Sequence, residues 1–335
     1  MPSLSRELGI DLGTITTTVV EGNEILFQEP TVVAILVNEQ EVVEWGQAAR
    51  DMYGRVPESI EVTRPLLHGV IAEYEVTEKM LGEIIRKVSG PMRIFPPRVM
   101  ITVPHGITSV ESRAVHEAGL GARARDVYLI QQPIAAALGI DLPIGTPSGN
   151  MILCLGGGTT QAAVLAMNGI VSGETSHAAG LKMDEAIVGY VRKKYGLIIG
   201  QPTAEQLKVR IGAAIPQDEQ QSMEIQGQDQ VTGLPRPATL TTDEIVEALQ
   251  EPLSEVVNTT RRVLEKTPPE LISDIIDRGV ALCGGGALMR GVDKYLTKAL
   301  GIPAYLVDNP LTCTAEGAAR ALPLYPLLRR NLPNV

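Results

Sequence analysis

Aromatic residues are scarce in this chain, 3% of 335 residues with two phenylalanines and one tryptophan. Stacking of single-stranded nucleic acid bases therefore has little to work with. Positive charge is also in short supply: 29 Lys plus Arg stand against 39 Asp plus Glu, a formal charge of −10. The average surface repels nucleic acid and anionic membrane, so no nucleic-acid partner is expected and any lipid contact must be local. Cysteine is limited to Cys154, Cys283 and Cys313, far apart in sequence and without CxxC spacing. That pattern fits a reducing cytosol, no structural zinc, and three thiols serving as small buried hydrophobes. No apolar run approaches the length of a membrane span, and Met1 to Leu8 holds no signal-peptide core, so a cytoplasmic protein is expected.

What is present is ordinary globular composition, 44% apolar and 20% charged, in a chain long enough for two domains with separate cores. Three glycine-rich turns stand directly behind short apolar runs: Gly9-Ile10-Asp11-Leu12-Gly13-Thr14, Leu155-Gly156-Gly157-Gly158-Thr159-Thr160 and Leu282-Cys283-Gly284-Gly285-Gly286-Ala287. A turn without side chains lets backbone N–H groups close around an anion. One such turn is most often only a tight connection. Three of them, each behind a strand, describe a nucleotide cleft.

The chain also repeats itself. Leu8 to Asp11 enters the first turn, Thr16 to Val20 is β-branched, Gly22-Asn23 turns, and Ile25 to Phe27 returns. The same hairpin order recurs as Met151 to Leu155, the triple glycine, Ala162 to Ala166, Asn168-Gly169 and Ile170 to Ser172. Superimposing the halves sets Asp11 on Cys154, an acid against a thiol. Strands at Arg98 to Val103 and Val127 to Ile130 alternate with a helix capped by Thr108 and Glu111 and another opened by Pro133, the pattern of a mostly parallel sheet. Later helices are expected at about 182–195, 204–214 (box Thr203, Gln206), 244–265 (box Thr241, Glu244), 270–277, 289–299 and 314–322. Strands are expected at 280–283 and 304–307, while 217–237, rich in Gln, Gly and Pro, reads as an aperiodic excursion.

Two hairpin-first α/β halves around a phosphate cleft resemble the actin, Hsp70 and sugar-kinase superfamily. Within it the chain resembles the MreB family of bacterial actin homologues. The residues that carry this are the three turns, Pro104 to Ala114, Gln132-Pro133-Ile134-Ala135-Ala136-Ala137-Leu138-Gly139, Thr267 to Leu271 and Gly284 to Gly291. The resemblance implies an actin-like fold: two duplicated ribonuclease-H-like domains flanking the cleft, each with a smaller subdomain. Residues 1–145 plus 312–335 would form the first, and 146–311 the second, with its smaller subdomain at about 182–245. It implies a protein that binds ATP and ADP with magnesium and polymerises into membrane-attached double filaments. Such filaments organise cell-wall synthesis and rod shape at the inner face of the cell membrane, with RodZ-like and other elongation-machinery partners.

Carried over by residue, the resemblance gives the β- and γ-phosphates to Asp11, Gly13, Thr14, Ile15 and Thr16, and the other side of the phosphate tail to Gly156, Gly157, Gly158 and Thr159. Glu205 and Lys208 would meet ribose and adenine, although an exposed charged helix face is their ordinary reading. Gly285, Gly286 and Ala287 would floor the adenine pocket, and Asp11 would hold magnesium, through water. Ile94 and Phe95, between arginines in the Pro-stiffened stretch Arg93 to Arg98, would touch lipid. Their burial yields roughly 1.5–3 kcal/mol each, too little for a monomer but enough for many loops on one filament.

The sequence departs from the family at the phosphate end. Gln132 replaces a usual glutamate, Cys154 an aspartate, and Gln161 and Leu181 two further acids. An amide at Gln132 can orient a water but cannot take its proton. Each lost electrostatic contribution is worth about 2.7–4 kcal/mol by analogy with removal of one preorganised donor. Hydrolysis is expected to be weak or absent, against the alternative that Asp11 and Gln132 suffice. A silent paralogue that regulates another filament protein shares every feature above. A small-molecule kinase would need a catalytic aspartate and inserted substrate subdomains, and an Hsp70-like chaperone a further domain. None of His68, His105, His116 and His177 reads as a catalytic base.

Overall fold

The computed structural model describes residues 5–39, 41–90 and 95–333. The first half runs β1 (Glu7–Leu12), β2 (Thr16–Glu21), β3 (Glu24–Pro30), β4 (Val33–Leu36), β5 (Glu41–Trp45), α1 (Gly46–Asp51), β6 (Ile60–Thr63), β7 (Leu66–Leu67), β8 (Val70–Ile71), α2 (Tyr74–Ser89), β9 (Arg98–Val103), α3 (Ser109–Gly121), β10 (Asp126–Gln131) and α4 (Gln132–Gly139). The second opens with β11 (Asn150–Leu155), β12 (Thr160–Ala166), β13 (Gly169–Ser176), α5 (Gly180–Tyr195), β14 (Leu197–Ile198), α6 (Gln201–Ile211), β15 (Ser222–Asp229) and β16 (Pro235–Thr241). It closes with α7 (Thr242–Ala248), α8 (Gln250–Glu265), α9 (Pro269–Arg278), β17 (Val280–Cys283), a 3-10 turn (Gly285–Leu288), α10 (Val292–Leu300), β18 (Ala304–Leu306) and α11 (Cys313–Leu328).

The repeat visible in the sequence is a repeat in space. One five-stranded sheet has the order β10-β9-β1-β2-β3 and the other β13-β12-β11-β17-β18. In each, a first strand pairs antiparallel with the hairpin that follows it and parallel with a later strand. Both hairpins carry a register shift near their turns. Asp11 and Cys154 hold the same place, one residue before the end of β1 and β11.

Apolar faces bury the sheets in three layers. Leu81, Ile84 and Ile85 of α2 and Val115 of α3 cover the outer face of the first sheet, while α5, α6, α8 and α10 cover the second. Between the sheets lie α4 and α11, whose small residues join Met100 and Ile130 to Ile152, Ala163 and Ala281 in one cluster. The helices approach so closely that a Cβ on Gly317 would stand 1.7 Å from the Ala135 carbonyl, and one on Gly139 1.9 Å from the Cys313 carbonyl.

Two of the three expected capping boxes form. Thr108 and Glu111 exchange hydrogen bonds at the start of α3, and the Glu244 carboxylate accepts from the Thr241 N–H at 2.8 Å. Other expectations need correction. Thr203 lies inside α6, which starts at Gln201 with Pro202 in its first turn and no side-chain cap, and which stops at Ile211. The expected helix 244–265 is two, broken at Leu249, and the helix expected from Met289 begins at Val292 after the 3-10 turn. α11 runs to Leu328 through Pro323 and Pro326 rather than stopping at 322. The stretch 217–237 is no aperiodic excursion: β15 and β16 form a hairpin there, with Ser222, Glu224, Gln226 and Gln228 exposed on one face and Met223, Ile225, Ala238 and Leu240 packed on the second-sheet core. Between β3 and β9, a small sheet β5-β4-β6 and the helix α2 fill a stretch for which no element was expected.

Candidate nucleotide cleft

The ends of β1 and β11 aim the first two glycine turns at one another. A Cβ on Gly157 would meet Ile15 Cγ1 at 2.0 Å and one on Gly158 would meet Thr14 Oγ1 at 2.3 Å, so only glycine lets the tips touch. Thr14 Oγ1 also accepts the Gly69 N–H at 2.8 Å, which anchors the β7–β8 hairpin to the first turn. Across the cleft the first N–H groups of α5 are spoken for: Gly180 N donates to Gly156 O at 3.1 Å and Leu181 N to Gly157 O at 2.8 Å. The helix start thus braces the second turn.

Above these tips is a cavity of about 350 Å³. Asp11, Gly13, Thr14, Ile15, Thr16 and Gln132 line it from the first half; Gly156, Gly157, Gly158, Thr159, Glu205, Lys208, Gly285 and Gly286 line it from the second. Ala287 does not. Its methyl turns inward from the 3-10 turn and is 3% exposed in the second-sheet core, while Leu288, Met289 and Leu311 supply the apolar wall.

At the phosphate end a chain of hydrogen bonds fixes the direction of two amides. The His105 N–H donates to Gln161 Oε1 at 2.8 Å, and a backbone N–H can only donate. Gln161 Nε2 therefore faces away, donating to Gln132 Oε1 and to Thr159 Oγ1. Gln132 Nε2 in turn points at Asp11 Oδ1, 3.3 Å away, which also accepts from Thr102 Oγ1 at 2.5 Å. Burial pushes the Asp11 carboxyl above its ordinary range, with the hydrogen bonds from Thr102 and Gln132 acting against the rise. One of the two lone pairs on the Gln132 amide oxygen is taken by Gln161.

Several residues of the cleft had no reading in the sequence. Asp184 lines the cavity from α5, on the buried stripe Met183, Asp184, Ile187, Val191, and an acid in such a stripe was the available signal. Its Oδ1 lies 2.7 Å from Lys208 Nζ, an ion pair without hydrogen-bond alignment, and Lys208 Nζ donates to Gly180 O at 2.8 Å. Desolvation pushes Asp184 up to about 6, opposed by Lys208. Glu205 is held by Arg50 of α1 at 2.7 Å. The rings of His68 and His177 lie tilted against each other with centroids 4.0 Å apart, and burial, then the neighbouring His68, lowers the His177 pKa. Phe95 is 49% exposed; Ile94 lies outside the described residues. The three cysteines are buried, as expected, but not apart: Cys154 and Cys283 are in contact. Among the described residues no helix is long and apolar enough to cross a membrane.

The family described as MreB/Mbl protein matches residues 5–328. The chain belongs to the MreB/Mbl family. It is 45% identical over 324 residues to the cell shape-determining protein MreB of Escherichia coli K12, covering 95% of this chain and 93% of that one. It is 43% identical over 314 residues to the cell shape-determining protein Mbl of Bacillus subtilis, covering 93% and 94%. MreB5 of Spiroplasma citri, solved bound to ADP, superposes with a TM-score of 0.92 at 32% identity, over 98% of this chain and all of that one. MamK shares the fold at 20% identity and a TM-score of 0.77. The actin-like fold and the cytoskeletal class of this MreB/Mbl protein follow from these matches together with the duplicated sheets.

Proposed function

We propose that this MreB/Mbl protein binds ATP and ADP in the cleft and polymerises into double filaments, with slow or absent hydrolysis. The observation that carries the reading is the meeting of two glycine turns, one from each half, beside a carboxylate under a 350 Å³ cavity. MreB5 of Spiroplasma citri has been solved with ADP and with AMPPNP, which supports the same ligand class here.

The donor set fits a nucleotide. Backbone N–H groups of Gly13 to Thr16 and Gly157 to Thr159 would bind phosphate oxygens, while the Gly156 N–H closes its own turn on Thr159 O at 2.9 Å. Leu288, Met289, Gly285 and Gly286 would hold the base, and Lys208 and Glu205 flank the ribose side. Magnesium bound to the phosphates, with Asp11 reaching it through water, would neutralise charge there. One carboxylate at that end favours a cation held mainly by phosphate and water. Gln132 is an amide, held between Gln161 and Asp11, so it can orient an attacking water but takes no proton from it. This supports a nucleotide-gated scaffold over a fast ATPase.

The smaller elements fit the wider role. The half-exposed Phe95, with Ile94 beside it in sequence, would anchor filaments to lipid at the inner face of the cell membrane. RodZ-like and other elongation-machinery proteins would couple the polymer to cell-wall synthesis. The two halves would divide at 1–145 plus 312–335 and 146–311.

Phosphate release from magnesium-ATP, measured where pelleting shows polymer, tests the reading beside a Gln132→Glu, Cys154→Asp variant. Release by the variant and little by the natural protein is expected. Comparable release from both overturns the slow-hydrolysis reading, and failure of either protein to bind nucleotide overturns the site.

A further inference from the structure

The superfamily's acid-bearing strand end carries a thiol here, and the fold sets a second thiol against it. β11 and β17 pair in parallel with Cys154 directly opposite Cys283. Neighbouring strands lie about 4.7–4.9 Å apart, inside the roughly 4.4–6.8 Å Cα window of a disulfide. The Cys283 thiol donates to Cys154 Sγ, with the sulfurs 3.2 Å apart. Both are the last or next-to-last residue of their strand, so Gly156 and Gly284, which line the cavity, follow within two residues.

We propose that Cys154 and Cys283 are a redox-active pair beneath the nucleotide cleft, closed to a disulfide by a hydroperoxide. The two sulfurs are not equivalent. Cys154 receives the hydrogen bond and retains 8% exposure, whereas Cys283 is fully buried. Its contact with Cys154, then burial and the charge of Asp11, push the Cys283 thiol up, while Cys313 acts against the rise. Cys154, the less buried sulfur, is therefore the one a peroxide reaches, and Cys283 is the resolving thiol.

The chemistry balances. Cys154 sulfur attacks one peroxide oxygen, the O–O bond breaks, and the other oxygen leaves as water after taking a proton, giving a sulfenic acid at Cys154. Cys283 sulfur then attacks the Cys154 sulfur; the S–O bond breaks and hydroxide leaves as a second water with the Cys283 proton. Two thiols are oxidised by two electrons and one hydrogen peroxide is reduced to two waters. The sulfurs close from 3.2 Å to about 2.05 Å at the two strand ends that carry glycine turns.

The third thiol, Cys313 at the start of α11, is the internal competitor, buried beside the pair with its own pKa raised by Cys283. The test is hydrogen peroxide treatment of the native full chain, alkylation after denaturation, and peptide mass mapping. The expected result is a loss of two mass units, one alkylated cysteine of the three, and a peptide pair joined at Cys154 and Cys283. The Cys313→Ala variant should give the same bridge, and Cys154→Ala should leave Cys283 alkylated. Three alkylated cysteines after peroxide, a bridge to Cys313, or a bridge between two chains would each overturn the proposal. Natural protein alone decides the mapping, so a variant that fails to fold does not blunt the test.

Discussion

Arg50 Nη2 and Glu205 Oε2 meet at 2.7 Å, joining α1 of one half to α6 of the other at the rim of the cleft. Arg64 Nη1 donates to Gln201 Oε1 at 3.1 Å along the same line. Glu205 was expected at the ribose; it lines the cavity and at the same time ties the cleft shut. An exposed pair of this kind contributes about 0.2–1 kcal/mol. Arg50→Ala is therefore expected to speed release of a fluorescent ADP analogue by up to about fivefold in stopped flow. An unchanged or slower rate refutes the tie.

The tilted pair His68 and His177, with His68 Nδ1 3.3 Å from Gly158 O beside the second glycine turn, gives the site a pH dependence. Burial and His68 lower the His177 pKa, so the folded chain binds fewer protons here than the unfolded chain. The stability this represents is complete above the ordinary histidine value of about 6.5 and is lost as pH falls through it. Nucleotide release should accelerate on going from pH 7.5 to 5.5, and His177→Gln should flatten the profile. A profile of equal slope in the variant removes the pair from the account.

Asp184 predicts the opposite trend in stability. Its folded pKa is raised to about 6 from 3.8, so the folded state holds a proton that the unfolded state has lost between those values. Its contribution is least unfavourable at acid pH and costs up to about 3 kcal/mol as pH rises through 6. Thermal midpoints of the natural protein minus those of Asp184→Asn should grow from pH 7 to pH 4.5. A constant difference would mean that Lys208 holds Asp184 ionised throughout.

Gly157→Ala places a methyl carbon where Ile15 Cγ1 already stands, 2.0 Å away. The tips must part, and a displacement of about 1 Å at such a site costs on the order of a hundredfold. Nucleotide affinity measured by calorimetry should fall at least tenfold, with the circular dichroism spectrum retained. Affinity within threefold of the natural protein would show that the contact between the turns is dispensable.

How much of this was legible in the sequence follows from where each signal lies. β9 and β17 could be bounded to the residue because continuous apolar runs end at Pro104 and Gly284. The turns at Gly13 and Gly156 announced themselves for a related reason, since glycine runs behind strands have few other uses. The hairpin β15–β16 was hidden because its core-facing alternation is thin, Met223, Ile225 and Gly227 on one strand and Ala238 and Leu240 on the other, while Gln226, Gln228 and Pro235 read as loop. The amide chain from His105 to Asp11 joins residues 29 to 121 positions apart, and its order depends on backbone N–H direction, which no spacing encodes. Cys154 and Cys283, separated by 129 positions, meet only because β11 and β17 pair.

The close approach of α4 and α11 constrains how this molecule can change shape. Carbonyls of one helix fill the places where side chains would stand on Gly139 and Gly317 of the other, so no deformable layer separates the two backbones. Packed helices slide past each other by repacking side chains at their contact, and at these two glycines backbone meets backbone with none to repack. Shear along this seam is blocked. The cleft can widen only by rotation about the seam, with α4 and α11 as the axle and the rim at Arg50 and Glu205, remote from it, sweeping the longer arc.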